Sequence, residues 1–299
     1  MKKNLKTNLI WLAIIAVVYA ILSALIVAGI INAFVAQIIT QIGINLIVAV
    51  GLNLVIGFTG QFSFGSAGFM AIGAYTSAIV TARMAPTWGT IFLSMLIGAI
   101  IAGIVAVIVG YPTLRLKGDY LAIATLGVSE IIRILIMNGG DLTNGAAGLS
   151  GIILFTDWGM TFIFAVVIII LILNFINSPS GRATLSVRED EIASESMGVN
   201  VTRVKVIAFT LGAMVTAIAG SLYAGFIGTV TPKDFTWMKS VDALIIVVLG
   251  GLGSITGTVI AAIILGLLNM FLQDFGAIRM IIYSLVLILV MIFRPGGLL

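Results

Sequence analysis

The sequence contains neither cysteine nor histidine in its 299 residues. Without them the chain has no disulfide, no thiol nucleophile, no zinc site built on Cys or His ligands and no Ser-His-Asp triad. The dipeptide Gly-Lys is also absent, which excludes a phosphate-binding P-loop. We therefore expect no enzyme activity and no bound metal or cofactor in this chain, and any ATP that drives it must be hydrolysed by another subunit.

Charged residues are also scarce, at 9% of the chain, whereas hydrophobic residues make up 61%. A soluble domain carries about 25% charged residues, so the composition is that of a protein with several membrane-spanning helices. The net charge of +4 does not indicate nucleic-acid binding, because the basic residues stand singly at the ends of apolar runs. The predicted fold class is an all-α, polytopic membrane protein.

Apolar runs alternate with short polar turns and predict about ten transmembrane segments, one of them short or broken. The first expected spans are 9–31 and 33–57, and the last is 278–293. Three lysines precede the first run, and most Lys and Arg of the predicted turns fall on the same side as these lysines. The positive-inside rule places that side, with both termini, in the cytoplasm. We expect a single transmembrane domain over residues 1–299.

Glycine interrupts two of the apolar stretches. Residues 57–75 combine five glycines with Gln61, Ser63 and Ser66, and the sequence GGLGS cuts the run 241–268. Non-helical backbone at membrane depth is tolerated only where protein or a water-filled cavity covers it, and such interruptions indicate a transport site. Close helix packing through small residues is the alternative, and both interpretations can hold together.

Polar side chains inside the apolar runs have two interpretations each. Asn53 belongs either to a polar stripe along a pathway or to a set of interhelical hydrogen bonds. Glu130 and Arg133 lie three residues apart in the run 121–137 and can neutralise each other on one helix face. Intramembrane charges are candidates for function, but a structural ion pair explains this spacing equally well.

Residues 178–205 form the longest polar segment, here called the polar island. It holds eight charged residues between two apolar runs. A segment this polar is too costly among lipid tails, so we predict an aqueous loop on the cytoplasmic side.

The polar island also carries the signals of a short helix. Ser186 and Glu189 have the spacing of a capping box, and the three acidic residues that begin at Glu189 suit the first turn of a helix. Gly198 suits a helix end, because glycine adopts the left-handed conformation at little cost. The prediction is an exposed helix over residues 187–197. Its apolar face, Ile192, Ala193 and Met197, would seat in a groove of a partner protein.

Six motifs occur along the chain in a fixed order. They are GQFSFGSAGFMAIGAYTSA (60–78), LRLKGDYLAIATLG (114–127), LTNGAAGLSGI (142–152), GRATLSVREDEIASESMGVNVTRVKVIAF (181–209), VLGGLGSITGTVIAA (248–262) and FRPGGLL (293–299). In this order they resemble the permease subunits of branched-chain amino acid ABC importers, the LivH/LivM family, and especially its LivM-like members. The resemblance implies an ABC importer permease fold in a bacterial cytoplasmic (inner) membrane and the import of branched-chain, apolar amino acids. Departures from the family pattern at Ser66, Gly68, Asn144 and Ala147 leave urea, amides or other amino acids as alternative substrates.

The resemblance also implies partners. They are a second homologous permease subunit, two cytoplasmic ABC ATPases that use ATP and Mg, and an extracytoplasmic amino-acid-binding protein. The polar island is then the loop through which the ATPases act on the membrane part. The expected coupling residues are Arg182, Arg188, Glu189, Asp190, Ile192, Ala193, Glu195, Met197 and Gly198. The expected translocation path includes Asn53, Gln61, Ser63, Gly65, Ser66, Thr125 and Glu130.

Other function classes fit the residues less well. An ion-coupled secondary transporter would use the same broken helices but needs an ion or proton site at mid-membrane, for which Glu130 and Asp242 are the candidates. A channel or scaffold would leave the capped cytoplasmic helix without a purpose. A membrane enzyme would need a clustered nucleophile, acid and base, which these residues do not supply.

Overall fold

Helices dominate the structure, a computed structural model that describes residues 2–29, 31–84, 87–116, 118–272, 285, 288 and 297–298. Within these residues the α-helices are α1 (Lys2–Val27), α2 (Ala33–Thr59), α3 (Ser66–Arg83), α4 (Trp88–Thr113), α5 (Asp119–Met137), α6 (Trp158–Asn177), α7 (Pro179–Glu189), α8 (Glu191–Ser196), α9 (Val201–Ile227), α10 (Trp237–Gly250) and α11 (Ile255–Phe271). Two short strands, β1 (Leu149–Ser150) and β2 (Thr229–Val230), form an antiparallel ladder. Single 3₁₀ turns cover Gly140–Leu142, Gly145–Ala147 and Pro232–Phe235.

Five helices in the described part of the chain are long and apolar enough to cross a membrane, namely α2, α4, α5, α6 and α9. Helices α10 and α11 meet the same criterion as a pair, although the chain bends by 120° between them. The predicted all-α, polytopic membrane fold is therefore confirmed, and so is the break at GGLGS. The last expected span, 278–293, lies outside the described residues except for two isolated positions, so about ten crossings stays a prediction.

One helix begins inside the segment that was predicted to be an aqueous loop. Helix α9 begins at Val201, so the last residues of the polar island are helical. The Asn200 side chain accepts a hydrogen bond from the Arg203 amide at 2.9 Å, which caps α9. Capping, rather than hydropathy, sets this helix start.

Helix α9 packs backbone to backbone against its neighbours. A methyl group built on Gly73 of α3 would lie 1.8 Å from the Ala217 carbonyl oxygen of α9. One built on Gly220 of α9 would lie 1.9 Å from the carbonyl oxygen of Met70 in α3. Helix α4 joins them, since a methyl group on Gly98 would lie 3.2 Å from the Gly73 Cα. Small residues thus let three helices approach closely, as expected for membrane helices.

The two ends of α9 mark opposite faces of the molecule, because its 27 residues span about 40 Å. The polar island precedes the first end, and β2 follows the second and pairs with β1, opposing Leu149 to Val230. On the polar-island face, the Leu298 amide donates a hydrogen bond to the Leu249 carbonyl at 2.9 Å, beside the turn between α10 and α11. The second glycine-rich break and residues 297–298 therefore lie together.

Replacing Gly220 by alanine tests this close packing. Because the added methyl group meets backbone rather than a movable side chain, Gly220→Ala should destabilise the chain by about 1–3 kcal/mol. Thermal unfolding of the detergent-purified protein measures the effect. Gly127→Ala is the matched control, since it also lies in a helix, α5, and its new methyl group would have no atom within 4 Å. Equal unfolding midpoints for the two variants would contradict the backbone contact.

Candidate functional site

The polar island contains two helices separated by one residue. Helix α7 starts at Ser178, whose hydroxyl accepts a hydrogen bond from the Gly181 amide at 3.2 Å, and Pro179 occupies its first position. Between α7 and α8, Asp190 is extended, with φ −155° and ψ 113°. Its carboxylate accepts hydrogen bonds from the Ile192 amide at 2.8 Å and the Ala193 amide at 3.0 Å, which makes it the cap of α8.

The predicted single helix over 187–197 with a cap at Ser186 is therefore wrong. Ser186 lies within α7, and its hydroxyl donates back to the Ala183 carbonyl at 3.0 Å. Helix formation starts earlier because Ser178 and Pro179 already supply a complete helix start. Glu189 accordingly ends α7 and does not lie in the first turn of the next helix.

The predicted helix end at Gly198 is confirmed. Gly198 has φ +85°, and its amide donates to the Glu195 carbonyl at 2.9 Å. A left-handed glycine after the last helical turn is a common way to close a helix. Helix α8 is thus bounded by Asp190 on one side and Gly198 on the other.

Helix α8 presents an apolar surface to solvent. Ile192 is 76% exposed and Met197 is 84% exposed, and Ala193 lies between them and is exposed as well. Arg182, Glu189 and Glu195 of the polar island are exposed charges. Exposed large apolar side chains are common at protein interaction surfaces, so α8 is a candidate for one.

An ion pair connects α8 to the transmembrane part. The Lys205 ammonium of α9 donates a hydrogen bond to the Glu191 carboxylate. Lys205 is almost fully buried, and a buried ammonium needs such a partner. Helix α8 is therefore fixed to the first turns of α9, the helix that packs against α2, α3 and α4.

Arg188, near the end of α7, reaches the end of α2. Its Nη1 donates a hydrogen bond to the Gly57 carbonyl at 2.6 Å. Gly60 closes α2 in the left-handed conformation with φ +71°, and the Gln61 amide bonds to the Val55 carbonyl at 3.3 Å. The Gly57 carbonyl belongs to the last helical turn, where carbonyl groups lose their helical donors. Arg188 supplies a donor there.

The same end of α2 is joined to residues 251–254, the glycine turn between α10 and α11. Asn53 is fully buried and its Nδ2 donates to the Ser254 carbonyl at 3.1 Å and to the Thr258 hydroxyl at 2.9 Å. Its Oδ1 accepts from the Gly253 amide at 2.9 Å. We call this contact of α2 with the glycine turn the α2–turn junction. These hydrogen bonds occupy the side-chain amide of Asn53, which therefore has a structural role. Because Asn53 is fully buried, its place on the path stays a prediction.

Residues 61–65 connect α2 to α3 without helical structure and form the extended segment. The Phe64 amide donates to the Thr125 hydroxyl of α5 at 3.0 Å. The Phe64 carbonyl accepts from the Ser240 hydroxyl of α10 at 2.8 Å, and that hydroxyl in turn accepts from the Ala67 amide at 2.9 Å. Side chains of α5 and α10 thus replace the missing helical hydrogen bonds, as a membrane interior requires.

Six of the seven predicted path residues are buried in this chain, and Glu130 is partly exposed. The Ser63 hydroxyl accepts from the Gly65 amide at 3.2 Å. The side-chain amide of Gln61 and the hydroxyl of Ser66 are buried and have no hydrogen-bond partner among the described residues. Buried polar groups without hydrogen-bond partners are rare and costly. Gln61 and Ser66 therefore stand out among the side chains in and beside the extended segment.

Glu130 and Arg133 form the ion pair that their spacing predicted. Arg133 Nε lies 3.0 Å from each Glu130 carboxylate oxygen. The Glu130 side chain is 37% exposed and that of Arg133 is 19% exposed, although both lie in a helix apolar enough to span a membrane. The pair neutralises itself, yet it faces outward from this chain.

Sequence reasoning missed Ser240, Thr258 and Lys205 as parts of the site. Each is a polar residue beside or within an apolar run, and that is the only local signal. For two of them the partner is far away in the sequence: Thr258 bonds to Asn53, and Ser240 bonds to Phe64. No local pattern could connect residues so far apart.

The described residues form packed apolar helices with two non-helical breaks and an exposed helix at one face. This architecture is typical of a transport subunit. The chain belongs to the family described as branched-chain amino acid transport system/permease component, whose model matches residues 34–294.

Individual relatives agree with the family. The chain is 36% identical over 278 residues to the high-affinity branched-chain amino acid transport system permease protein LivM of Salmonella typhimurium, and 37% identical to LivM of Escherichia coli. Each match covers 81% of this chain and 64% of the LivM protein, so the chain spans less than two thirds of their length. LivH of Salmonella typhimurium is 28% identical over 81% of this chain and 87% of its own length. No solved structure matches the chain.

The α2–turn junction yields a stability prediction. Asn53→Ala leaves the Gly253 amide and the Ser254 carbonyl without their partner in a buried place, which should cost about 1–3 kcal/mol. Limited proteolysis and thermal unfolding of the purified chain measure the loss. Asn177→Ala is the control, because Asn177 is exposed and its side chain donates to the Leu173 carbonyl within its own helix. Equal stability of the two variants would contradict the structural role of Asn53.

Proposed function

We propose that this chain is a permease subunit of an ATP-driven importer for branched-chain, apolar amino acids in a bacterial cytoplasmic membrane. It would work with a second homologous permease, two cytoplasmic ABC ATPases that bind ATP and Mg, and an extracytoplasmic amino-acid-binding protein. The observation that carries the proposal is the exposed helix α8, connected to α9 by the Lys205–Glu191 ion pair, in a chain that belongs to a transport permease family.

The docking role of α8 is supported by its surface and its attachment. Ile192, Ala193 and Met197 form an apolar patch that suits insertion into a groove of an ATPase. The charged residues around the patch, Arg182, Glu189 and Glu195, would set the register of docking. Asp190 and Gly198 define the two ends of the helix, so a force applied to α8 moves a rigid element rather than a loop.

The proposed orientation has the polar island and both termini in the cytoplasm. Basic residues are concentrated on this side of the chain, in agreement with the positive-inside rule. Residues 297–298 contact the glycine turn close to Arg188, which fits a C-terminal region on the same side as the island. The β1–β2 ladder would then face the binding protein.

The proposed path runs along the face formed by α5, the extended segment and α10. Phe62 is 46% exposed on this segment, and the segment is bonded to both helices through Thr125 and Ser240. Glu130 of α5 is partly exposed and Asp242 of α10 is exposed. Charges at membrane depth are costly against lipid and face protein or water. This face is therefore the one we expect to turn toward the second permease.

The proposed substrate fits the surroundings of the extended segment. Phe62 and Ile123 offer exposed apolar surface for a branched aliphatic side chain. The buried side-chain amide of Gln61 and the hydroxyl of Ser66 have no hydrogen-bond partner among the described residues, so both can bond to a ligand. These two could bond to a passing substrate if the segment shifts during a transport cycle. The same groups would serve urea, an amide or another amino acid, which remain the alternative substrates.

An ion-coupled secondary transporter is the second candidate function, and the geometry favours it less. One of its two candidate carboxylates, Glu130, is already neutralised by Arg133. The described residues contain no group of three or more Asp and Glu side chains that could hold a metal ion. The exposed apolar surface of α8 would also have no use in such a protein.

Two measurements test the proposal. Gentle purification from native membranes followed by mass spectrometry should recover a second permease and P-loop ATPases with this chain. Vesicles containing that complex, with the binding protein added, should then accumulate radiolabelled leucine only when ATP is present on the side of the ATPases. Unlabelled urea or acetamide should not compete with leucine. Recovery of the chain alone, with uptake driven by an ion gradient, would overturn the proposal in favour of the secondary transporter.

Gly198 provides a test of docking. Valine is strained at φ +85° because its branched side chain disfavours positive φ, so Gly198→Val should disturb the end of α8 without removing the chain from the membrane. We expect loss of the ATPases during purification and uptake reduced to about a tenth or less.

The matched control is Gly118→Val in the turn between α4 and α5. Gly118 has φ +57°, and neither glycine has an atom within 4 Å of an added methyl group, so the two variants differ mainly in location. The control should retain its ATPases. Normal uptake by the Gly198 variant would refute the docking role of α8.

A further inference from the structure

We propose that Arg188 is a positioning residue that transmits movement of the polar island to the α2–turn junction, rather than a residue that docks the ATPases. The inference rests on the proposed function and deepens it, because it identifies how the motion of α8 reaches the interrupted helices.

The Arg188 guanidinium lies against the end of α2 and the glycine turn. Its hydrogen bond to the Gly57 carbonyl is 2.6 Å long. A methyl group built on Gly253 would lie 2.6 Å from Arg188 Nη1 and 3.1 Å from the Gly57 oxygen. A methyl group built on Gly57 would lie 2.3 Å from the Gly253 amide nitrogen. Three segments therefore meet closely here, and the side chains of Arg188 and Asn53 both lie at their contact.

The electrostatics of this position favour an inward role. The carbonyl end of a helix carries a partial negative charge, and a charged donor makes a stronger hydrogen bond to it than a neutral donor does. The Arg188 side chain is 36% exposed, whereas that of the adjacent Glu189 is 79% exposed and lies 4.0 Å away. The carbonyl of Gly57, rather than a surface carboxylate, is thus its main partner.

The polar island is connected to the membrane domain on both sides of Asp190. Before it, Arg188 connects α7 to α2 and the glycine turn. After it, Glu191 connects α8 to Lys205 of α9. Movement of α8 would therefore reach two separate parts of the membrane domain. The Arg188 connection ends at Gly57, four residues before the extended segment that we propose as part of the path.

The decisive variant is Arg188→Gln, made in the complete complex of permeases and ATPases with the binding protein present. We expect the complex to assemble and to hydrolyse ATP, while leucine transported per ATP falls by about tenfold, because one charge-assisted hydrogen bond is lost. Arg203→Gln is the control, since Arg203 is an exposed arginine on the same side and its loss removes the same charge. The control should keep the wild-type ratio of leucine to ATP.

A second readout follows the glycine turn directly. The chain has no cysteine, and Leu252 in this turn is exposed, so Leu252→Cys provides a single maleimide-labelling position. Vanadate trapping of the ATPases should change its labelling rate when Arg188 is present. That change should shrink by about fivefold or more with Arg188→Gln and persist with Arg203→Gln.

The outcomes separate this inference from the proposed function. If the wild-type complex shows no ATP-dependent uptake, the proposed function fails. The positioning role can still be tested in the purified chain alone, where Arg188→Gln should raise the rate of maleimide labelling of Leu252→Cys. Arg188→Lys keeps a charged donor and should therefore retain part of the coupling. This variant also tests the inference if Arg188→Gln does not accumulate in the membrane. An unchanged leucine-to-ATP ratio, or release of the ATPases by Arg188→Gln, would overturn the positioning role.

Discussion

Satisfying backbone hydrogen bonds away from water is the constraint on which this structure depends. The described chain leaves helical geometry at the extended segment and at the glycine turn, and backbone groups that neighbouring helices bury there need protein partners in place of water. At the first place Thr125 and Ser240 supply them. At the second, Asn53 bonds to Gly253 and Ser254, and Arg188 completes the adjacent end of α2. A few polar side chains therefore make both breaks possible.

These polar contacts also connect the breaks to the surface. Asn53 joins α2 to the glycine turn, Arg188 joins both to α7, and Lys205 joins α9 to α8. The exposed helix α8 is thus connected directly to a helix of the membrane domain through a single pair of side chains. In a transport subunit such short connections are useful, because an external protein that moves α8 acts on the interior without a long flexible linker.

The class of protein and the general layout could be predicted from the sequence, since hydropathy and scarce charge determine them locally. The left-handed Gly198 and the Glu130–Arg133 pair are local patterns and were predicted correctly. The cap at Ser186 was not, because the prediction did not take account of the competing helix start at Ser178. Asn53 shows a different limit: interhelical hydrogen bonds were one of its two interpretations and are present, but its partners could not be identified, because Gly253 is 200 positions away and only the folded chain brings them together. The path and coupling assignments themselves stay predictions.

The contact among α3, α4 and α9 limits how this protein can change shape. Where Gly73 faces Ala217 and Gly220 faces Met70, rotating either helix about its axis would bring a larger neighbouring residue against a carbonyl oxygen. Sliding along the axis meets the same obstacle within a fraction of a helical turn. The three helices are therefore expected to move as one rigid body, and shape changes should occur at its margins, where α5 and α6 have most of their surface uncovered. Homologous chains should accordingly vary little in side-chain volume along this contact and much more along α5 and α6.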